Sequence, residues 1–235
     1  MKTYIGTSGW QYYHWKGKFY PENLSSKDLL KFYSKYFNTV EVNTSFYHFT
    51  KKSTFEKWKN EVSKDFLFSI KLHRLFTHFR KLNLKKEDKK LLKETIENYK
   101  VLGKNLGPIL IQLPPSLKKD LKTLKKFLKN FDKNLKLAIE FRYSSWFNKE
   151  TYDFLRKKKI TFVISDSPRW PTDIVKTSNF VYVRFHGKPH LFASKYEKSE
   201  LKKYAEEIRK LKPKILFVYF NNDAEGYAVN NALEF

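Results

Sequence analysis

The chain has 235 residues, of which 41% are hydrophobic and 18% aromatic, so it is a folded globular protein and not an intrinsically disordered one. It contains no Cys, which excludes disulfides, thiolate zinc sites and a Cys nucleophile. Its 48 Lys and Arg residues against 24 Asp and Glu residues give a formal net charge of +24. Such a charge can attract nucleic acid or acidic substrates, but lysines that simply decorate solvated helix faces would also produce it.

The sequence shows no membrane-spanning or signal-like segment. No apolar stretch approaches the ~20 residues that a span requires, and the chain enters a strand-like run at Tyr4-Ile5-Gly6 without a signal-like segment before it. We therefore expect a cytoplasmic protein that does not insert into a membrane. The sequence does not indicate an oligomeric state.

Apolar runs alternate with amphipathic patterns along the whole chain. The runs predict strands at 3–7, 39–44, 66–71, 108–112, 136–141, 160–165, 180–185 and 215–220. The amphipathic patterns predict helices at 27–37, 53–62, 86–102, 117–131, 148–158 and 197–211. Eight strands alternating with helices predict an α/β protein, a single (β/α)8 TIM barrel over residues 1–235. Residues 166–179 are too few for a regular sixth crossover, and the final helix, from about 224, should be short.

Polar residues follow or end most of these strands. Residues i and i+2 of a strand share a face, so Glu140 lies beside Arg142, and Arg184 beside His186. Barrel enzymes carry their active sites at the carboxyl ends of the strands. The predicted mouth is lined by Thr7, Ser8, Glu41, Asn43, Lys71, Gln112, Glu140, Arg142, Asp166, Arg184, His186, Asn221 and Asp223.

These strand ends also resemble a known family. The segments Gly6-Thr7-Ser8-Gly9-Trp10, Glu41-Val42-Asn43-Thr44-Ser45-Phe46-Tyr47, Ile111-Gln112-Leu113-Pro114-Pro115, Glu140-Phe141-Arg142, Asp166-Ser167-Pro168-Arg169-Trp170-Pro171, Arg184-Phe185-His186-Gly187 and Asn221-Asn222-Asp223 are similar to the domain-of-unknown-function 72 (YecE-like) family. The resemblance implies a TIM barrel with some irregularity. It implies no particular reaction.

The mouth contains candidates for acid–base chemistry. We expect Glu140 and His186 to transfer protons, because each ends a strand and the pKa of a histidine lies near neutrality. Glu41 and Asp166 would orient them or hold a metal. The alternative for His186 is a neutral ring bonded to a neighbouring carboxylate.

Arginine is scarce in this chain, so its appearance at the mouth is informative. Arg142, Arg169 and Arg184, together with Lys71, would hold an anionic substrate, because a guanidinium binds phosphate or carboxylate through two parallel hydrogen bonds. The alternative is an internal ion pair, Glu140–Arg184 or Glu41–Arg142, that closes the barrel.

A divalent metal could instead bind the acidic groups, with ligands drawn from Glu41, Glu140, Asp166, His186 and Asp223. We favour ion pairs over a metal, because Lys71, Arg142 and Arg184 share the same space. No other cofactor is indicated.

The remaining mouth residues are candidate substrate contacts. Asn43, Gln112, Asn221 and Asp223 offer polar groups, although Asp223 could instead cap the last helix. Trp10, Tyr47 and Trp170 could stack on a base or sugar. The other loop aromatics should pack the loops, and His14 and His78 should be ordinary loop residues.

Together these features favour an enzyme that acts on a phosphate-bearing or otherwise anionic substrate, a nucleotide or nucleic acid, at the barrel mouth. A carbohydrate-active barrel with paired carboxylates and a non-catalytic nucleic-acid-binding module are the alternatives.

Overall fold

A computed structural model describes residues 1–235, and its eight parallel strands form a barrel. The strands are β1 Lys2–Thr7, β2 Thr39–Val42, β3 Leu67–Lys71, β4 Leu106–Gln112, β5 Leu137–Glu140, β6 Thr161–Asp166, β7 Phe180–Phe185 and β8 Ile215–Phe220. From β2 to β8 each strand pairs with its neighbours in sequence, and β8 returns to pair with β1. The predicted α/β barrel is confirmed.

Helices lie between the strands and cover the outside of the sheet. They are α1 Leu29–Tyr33, α2 Thr44–Tyr47, α3 Lys52–Glu61, α4 Lys86–Lys100, α5 Leu121–Leu128, α6 Lys149–Lys158, α7 Lys198–Lys210 and α8 Tyr227–Glu234. Several are shorter than predicted; α5, for example, begins at Leu121 because the Asp120 carboxylate caps it, accepting a hydrogen bond from Thr123 N at 2.9 Å. None of the helices combines the length and apolar composition that crossing a bilayer requires.

The irregular sixth crossover and the short final helix are both confirmed. No helix lies between β6 and β7, and threonine hydroxyls tie this segment to the sheet instead. Thr172 Oγ1 donates to Ser165 O at 2.8 Å, and Thr177 Oγ1 donates to Ile160 O at 2.6 Å. The segment therefore runs back along β6 from its carboxyl end to its start, and its first part places Trp170 beside Arg142 and His186 at the barrel mouth.

The barrel interior changes from apolar to charged toward the carboxyl ends of the strands. Eight inward-facing residues form an inner core: Tyr4, Leu110, Ala138, Val163, Phe180, Tyr182, Phe217 and Tyr219. The Tyr219 hydroxyl shares hydrogen bonds with Thr39 Oγ1 at 2.6 Å and Ser69 Oγ at 2.7 Å. This hydroxyl layer separates the apolar core from the charges above it.

The seam between β1 and β2 depends on a close backbone approach. These strands share a single bridge, between Ser8 and Glu41, in place of a continuous ladder. A Cβ at Gly6 would lie 2.2 Å from Thr39 O and 2.8 Å from the Tyr33 hydroxyl, which donates to that same carbonyl. Only glycine allows this approach.

We therefore expect Gly6→Ala to lower the free energy of unfolding by about 1–3 kcal/mol, the usual cost of overpacking. Gly107→Ala is the matched control within a strand, because its Cβ would lie 3.0 Å from Phe68 O and needs a smaller adjustment. Urea denaturation of both variants measures the difference. Equal losses would show that the seam does not constrain position 6.

Candidate active site at the carboxyl ends of the strands

A cleft of about 630 Å³ opens at the carboxyl ends of the strands. Its walls come from the segments after β1, β2, β3, β5, β7 and β8 and from the ends of β3 and β4. They comprise Tyr12, Asn43, Phe46, Tyr47, Lys71, His78, Gln112, Arg142, Phe192, Ala193, Asn221, Asp223 and Ala224. Of the predicted site residues, this cleft brings together Asn43, Tyr47, Lys71, Gln112, Arg142, Asn221 and Asp223.

A buried ion cluster lies beside and beneath the cleft, centred on Arg184 of β7. Arg184 donates from Nε to Glu41 Oε2 at 3.0 Å and from Nη2 to Glu41 Oε1 at 2.7 Å. Its Nη1 donates to Glu140 Oε2. All three side chains are fully buried, so these groups neutralise one another away from solvent.

Electrostatics in this cluster favours the ionised forms. Burial alone would raise the pKa of Glu41, but Arg184 outweighs it and the pKa lies below its ordinary value. Burial likewise opposes ionisation of Glu140, yet Arg142 and Arg184 hold its pKa well below the usual range. Burial lowers the pKa of Arg184, but Glu140 and Glu41 reverse this and raise it. The cluster matches the internal ion pair that the sequence left as an alternative.

Arg142 connects the cluster to the cleft. Its Nε donates to Glu140 Oε1 at 2.8 Å, and its guanidinium lies 3.9 Å from the centre of the Trp170 ring. Trp170 is fixed in turn, because its Nε1 donates to Ser165 Oγ at 2.9 Å. The terminal Nη groups of Arg142 make no hydrogen bond within the protein, so they are available to a ligand.

His186 is buried below the cleft and is neutral. Its Nδ1 lies 3.1 Å from the side-chain amide nitrogen of Asn221, and its Nε2 lies 3.5 Å from Glu140 Oε1. Burial, and then the charge of Arg184, lower the pKa of His186 to about 4. Asn221, which lines the cleft, is thus positioned by His186.

Lys71, the last residue of β3, is the only buried lysine of the chain. Its Nζ lies 4.1 Å from the centre of the Phe46 ring and forms neither a hydrogen bond nor an ion pair. Burial, with the charges of Arg184 and Arg142, lowers the pKa of Lys71 to about 7. This amine is therefore available in both its neutral and its protonated form near pH 7.

Two amide side chains present unpaired oxygens here. Asn43 Oδ1 and Gln112 Oε1 are buried and have no hydrogen-bond partner. Such orphaned acceptors are uncommon in proteins and call for a donor from water or a ligand. The amide nitrogen of Gln112, Nε2, lies 3.5 Å from His78 Nε2. Burial and the charge of Lys71 lower the pKa of His78 to about 4.

Asp223 forms the opposite wall of the cleft and is held by the first loop. Trp15 Nε1 donates to both of its carboxylate oxygens, at 3.0 and 2.9 Å, and His14 Nε2 lies 2.9 Å from Oδ2. Burial raises the pKa of Asp223. Gly226 occupies the N-cap position of α8, but the Asp223 carboxylate accepts a hydrogen bond from the backbone N–H of Ala228 in the first turn, so it helps to cap this helix as the sequence alternative expected.

Asp166 does not lie in the cleft, and the expectation that it converges there with Glu140 and His186 is wrong. Successive strand residues point to opposite faces, and Ser165 is the inward one. Asp166 therefore faces outward, where it accepts hydrogen bonds from Tyr196, at 2.6 Å, and Tyr204 and pairs with Lys188. Of the five proposed metal ligands, Glu41, Glu140 and His186 surround Arg184 and Asp166 and Asp223 lie apart from them, and no group of three or more such side chains has metal-binding geometry.

Two further candidates lie elsewhere. Trp10 is buried against Trp58, with ring centres 5.0 Å apart, instead of facing the cleft. Arg169 is exposed, and it does not line the cleft. Tyr47 does line it and is half exposed, whereas Trp170 contributes through Arg142.

Comparisons with known proteins agree with this architecture. The sequence profile of the family described as "Protein of unknown function DUF72" matches residues 4–235. The chain belongs to the DUF72 family. It is 27% identical to the UPF0759 protein YunF of Bacillus subtilis (strain 168), over 97% of this chain and 91% of that protein.

Solved DUF72 structures share the fold over the whole chain. The crystal structure of a DUF72 family protein from Thermotoga maritima superimposes with a TM-score of 0.89 at 33% identity, covering 100% of this chain and 98% of that one. A DUF72 family protein from Enterococcus faecalis gives a TM-score of 0.83 at 22% identity, covering 99% and 93%. At this lower identity, the similarity to the Enterococcus faecalis protein shows only that the fold is shared.

Sequence reasoning missed several cleft residues of this DUF72 barrel. His78 was expected to be an ordinary loop residue, but a π-helical turn, Leu75–Phe79, carries it into the cleft beside Phe46. Such turns often occur at functional sites, yet no apolar periodicity marks this one. Tyr12 also lines the cleft, its hydroxyl donating to Ser8 O at 2.5 Å.

Removing the central guanidinium should destabilise the protein in a pH-dependent way. We expect Arg184→Gln to cost ~3–5 kcal/mol at pH 8, because it leaves buried carboxylates without their partner. In the variant, burial raises the folded-state pKa of Glu41 above its unfolded value. The carboxyl is then protonated at low pH, so the loss should be smaller at pH 5 than at pH 8.

Urea denaturation at the two pH values measures this. Arg169→Gln, at an exposed arginine, is the control and should change the free energy of unfolding by less than ~0.5 kcal/mol. A loss in Arg184→Gln as small as in the control would contradict the role of Arg184.

Proposed function

We propose that the protein is an enzyme whose cleft binds a small substrate carrying a phosphate or carboxylate. The observation that carries this proposal is the pair of cationic side chains, Arg142 and Lys71, that line one cleft without using their terminal nitrogens inside the protein. Lys71 has no counter-ion inside the protein, and the Nη groups of Arg142 stay unused although its Nε pairs with Glu140, so a ligand that carries negative charge complements this cleft.

Arg142 is suited to bind this charge. Its Nε is held by Glu140 and its guanidinium plane rests on Trp170, which fixes the orientation of the two Nη groups before a ligand arrives. A fixed guanidinium binds phosphate or carboxylate bidentately with little loss of side-chain entropy. Glu41, Glu140, Arg184 and His186 then act beneath the cleft as positioning residues.

The size and polarity of the cleft favour a small polar molecule. Its volume of about 630 Å³ lies within the range of ~300–1,000 Å³ that is typical of small-molecule sites. The orphaned oxygens of Asn43 and Gln112 would accept hydrogen bonds from hydroxyl or amino groups of the substrate. A sugar phosphate, a nucleotide or a hydroxylated acid has this combination of groups.

Lys71 supports catalysis in addition to binding. A general base or acid works best when its pKa lies near the working pH, and Lys71, with a pKa of about 7, has this property. Perturbed pKa values in a cleft are characteristic of active sites. We therefore assign to Lys71 the acid–base role that the sequence suggested for Glu140 and His186, which do not line the cleft.

The carbohydrate-hydrolase alternative has less support. Such enzymes pair one ionised carboxylate with one protonated carboxyl group on either side of the glycosidic bond. Glu41 and Glu140 are both fully buried and both held ionised by Arg184. Neither is available as a general acid.

We expect Arg142→Gln to raise the dissociation constant for inorganic phosphate or pyrophosphate by about tenfold or more, the value of one charge-assisted hydrogen bond. Isothermal titration calorimetry measures this dissociation constant, and glucose serves as the uncharged control ligand. Arg169→Gln makes the same chemical change at an exposed site and should leave binding unchanged. Equal effects of the two variants, or no anion binding by the wild type, would refute the site.

Nucleic-acid binding is a second candidate, and a separate surface favours it. Lysines of α4 and α5 line two adjoining grooves that share Lys89 and Asn130. Lys93 lies in one groove, and Lys126 and Lys129 lie in the other. Cations that converge from two helices form a path for a phosphate backbone, independent of the cleft.

Replacing Lys89, Lys93, Lys126 and Lys129 with Gln should reduce the dependence of duplex-DNA affinity on salt, by about 0.9 in the log–log slope for each phosphate that these lysines neutralise. The control replaces Lys157, Lys158, Lys202 and Lys203, which are exposed on α6 and α7 and carry the same charge. Fluorescence anisotropy across a salt series measures both slopes. If the two variants give identical slopes, the binding depends on net charge alone.

A further inference from the structure

We propose that Lys71 forms a Schiff base with the carbonyl group of its substrate, so that the substrate is a small aldehyde or ketone bearing a phosphate or carboxylate. This inference rests on the anion-binding cleft proposed above and names the substrate class for it. The observation that supports it is the position of the Lys71 amine among the ends of three neighbouring strands.

Lys71 is isolated from the ion cluster although it lies close to it. The oxygens of Glu41 already accept hydrogen bonds from Arg184, Tyr182 and Ser8. Those of Glu140 accept from Arg184 and Arg142. Lys71 forms an ion pair with neither carboxylate, and its Nζ instead lies against the face of Phe46.

A lysine in this setting is a nucleophile and not a structural cation. Burial and two neighbouring guanidinium groups favour the neutral amine, and the pKa of Lys71 falls to about 7. Desolvation in an apolar pocket and adjacent cationic groups are the two means by which proteins activate lysines for attack on carbonyl carbons. Both are present at Lys71.

The neighbouring strands supply acceptors for the intermediates. Lys71 ends β3, Asn43 directly follows β2 on one side, and Gln112 ends β4 on the other. Their orphaned oxygens, Asn43 Oδ1 and Gln112 Oε1, could accept hydrogen bonds from the hydroxyl group of an adduct or from the N–H of an iminium. Arg142 would hold the anionic end in the same cleft.

The chemistry balances without a further reactant. The neutral Lys71 Nζ attacks the carbonyl carbon, and a proton moves from nitrogen to oxygen to give a carbinolamine. Uptake of one proton from water and loss of one water molecule then leave a protonated imine between Nζ and the substrate carbon. No oxidant or reductant is consumed.

Reductive trapping tests the proposal on the intact protein. The wild type is incubated with dihydroxyacetone phosphate, pyruvate or neutral acetone in the presence of sodium cyanoborohydride, and the modified lysines are identified by peptide mass spectrometry. At pH 7.5, Lys71 should be modified by the two anionic carbonyl compounds at least about tenfold faster than exposed lysines such as Lys118, because more of its amine is neutral and because Arg142 holds their anionic group in the same cleft. Acetone should show a much weaker preference.

The outcomes separate this proposal from the function on which it rests. Arg142→Gln should slow trapping of the anionic compounds more than that of acetone, because acetone loses only the contribution of Arg142 to the lowered pKa of Lys71, and Lys118→Gln should change neither. Anion binding without preferential modification of Lys71 would overturn the Schiff base and leave the anion site standing. Equal trapping of acetone and the anionic compounds at Lys71, slowed to the same extent by Arg142→Gln, would retain the nucleophile and overturn the anion site.

Discussion

The Arg184 guanidinium lies between the carboxylates of Glu41 and Glu140 and thereby joins β7 to β2 and β5 across the barrel. This contact is buried on all sides, so its three charges must be present together or be replaced together. The Tyr182 hydroxyl donates to Glu41 at 2.7 Å and continues the polar layer downward toward the apolar core. This one arrangement fixes the carboxyl ends of β2, β5 and β7 relative to one another.

The same contact determines which groups remain for a ligand. Since Arg184 occupies both carboxylates, Arg142 binds Glu140 through its Nε alone, and Lys71 has no counter-ion. The positive charge of Arg184 also lowers the pKa of His186 and of Lys71, after burial has done the larger part. A buried structural ion cluster thus leaves the Nη groups of Arg142 and the amine of Lys71 in the cleft without a partner inside the protein.

The sequence predicts the fold well because a parallel barrel leaves strong local signals. Continuous apolar runs marked all eight strands, and alternation placed Glu41, Arg184 and Lys71 on the inner face. The prediction failed where the outcome depended on a single residue of register. The sequence predicted that β6 ends at residue 165, one residue before its observed end. No feature of the local sequence shows that Ser165 faces inward and Asp166 outward. His78 was missed because a π-helical turn has no sequence periodicity to detect.

The two kinds of cation at the mouth are not interchangeable, and their distribution follows their chemistry. Arg184 spans two carboxylates with three different nitrogens, which the single amine of a lysine cannot do. Position 71 demands the opposite property. A guanidinium there would stay charged at every physiological pH, whereas an amine loses its proton when burial and its cationic neighbours favour the neutral form. Arg184 thus occupies the position where one fixed group joins two carboxylates, and Lys71 occupies the position where burial favours a group that can lose its proton.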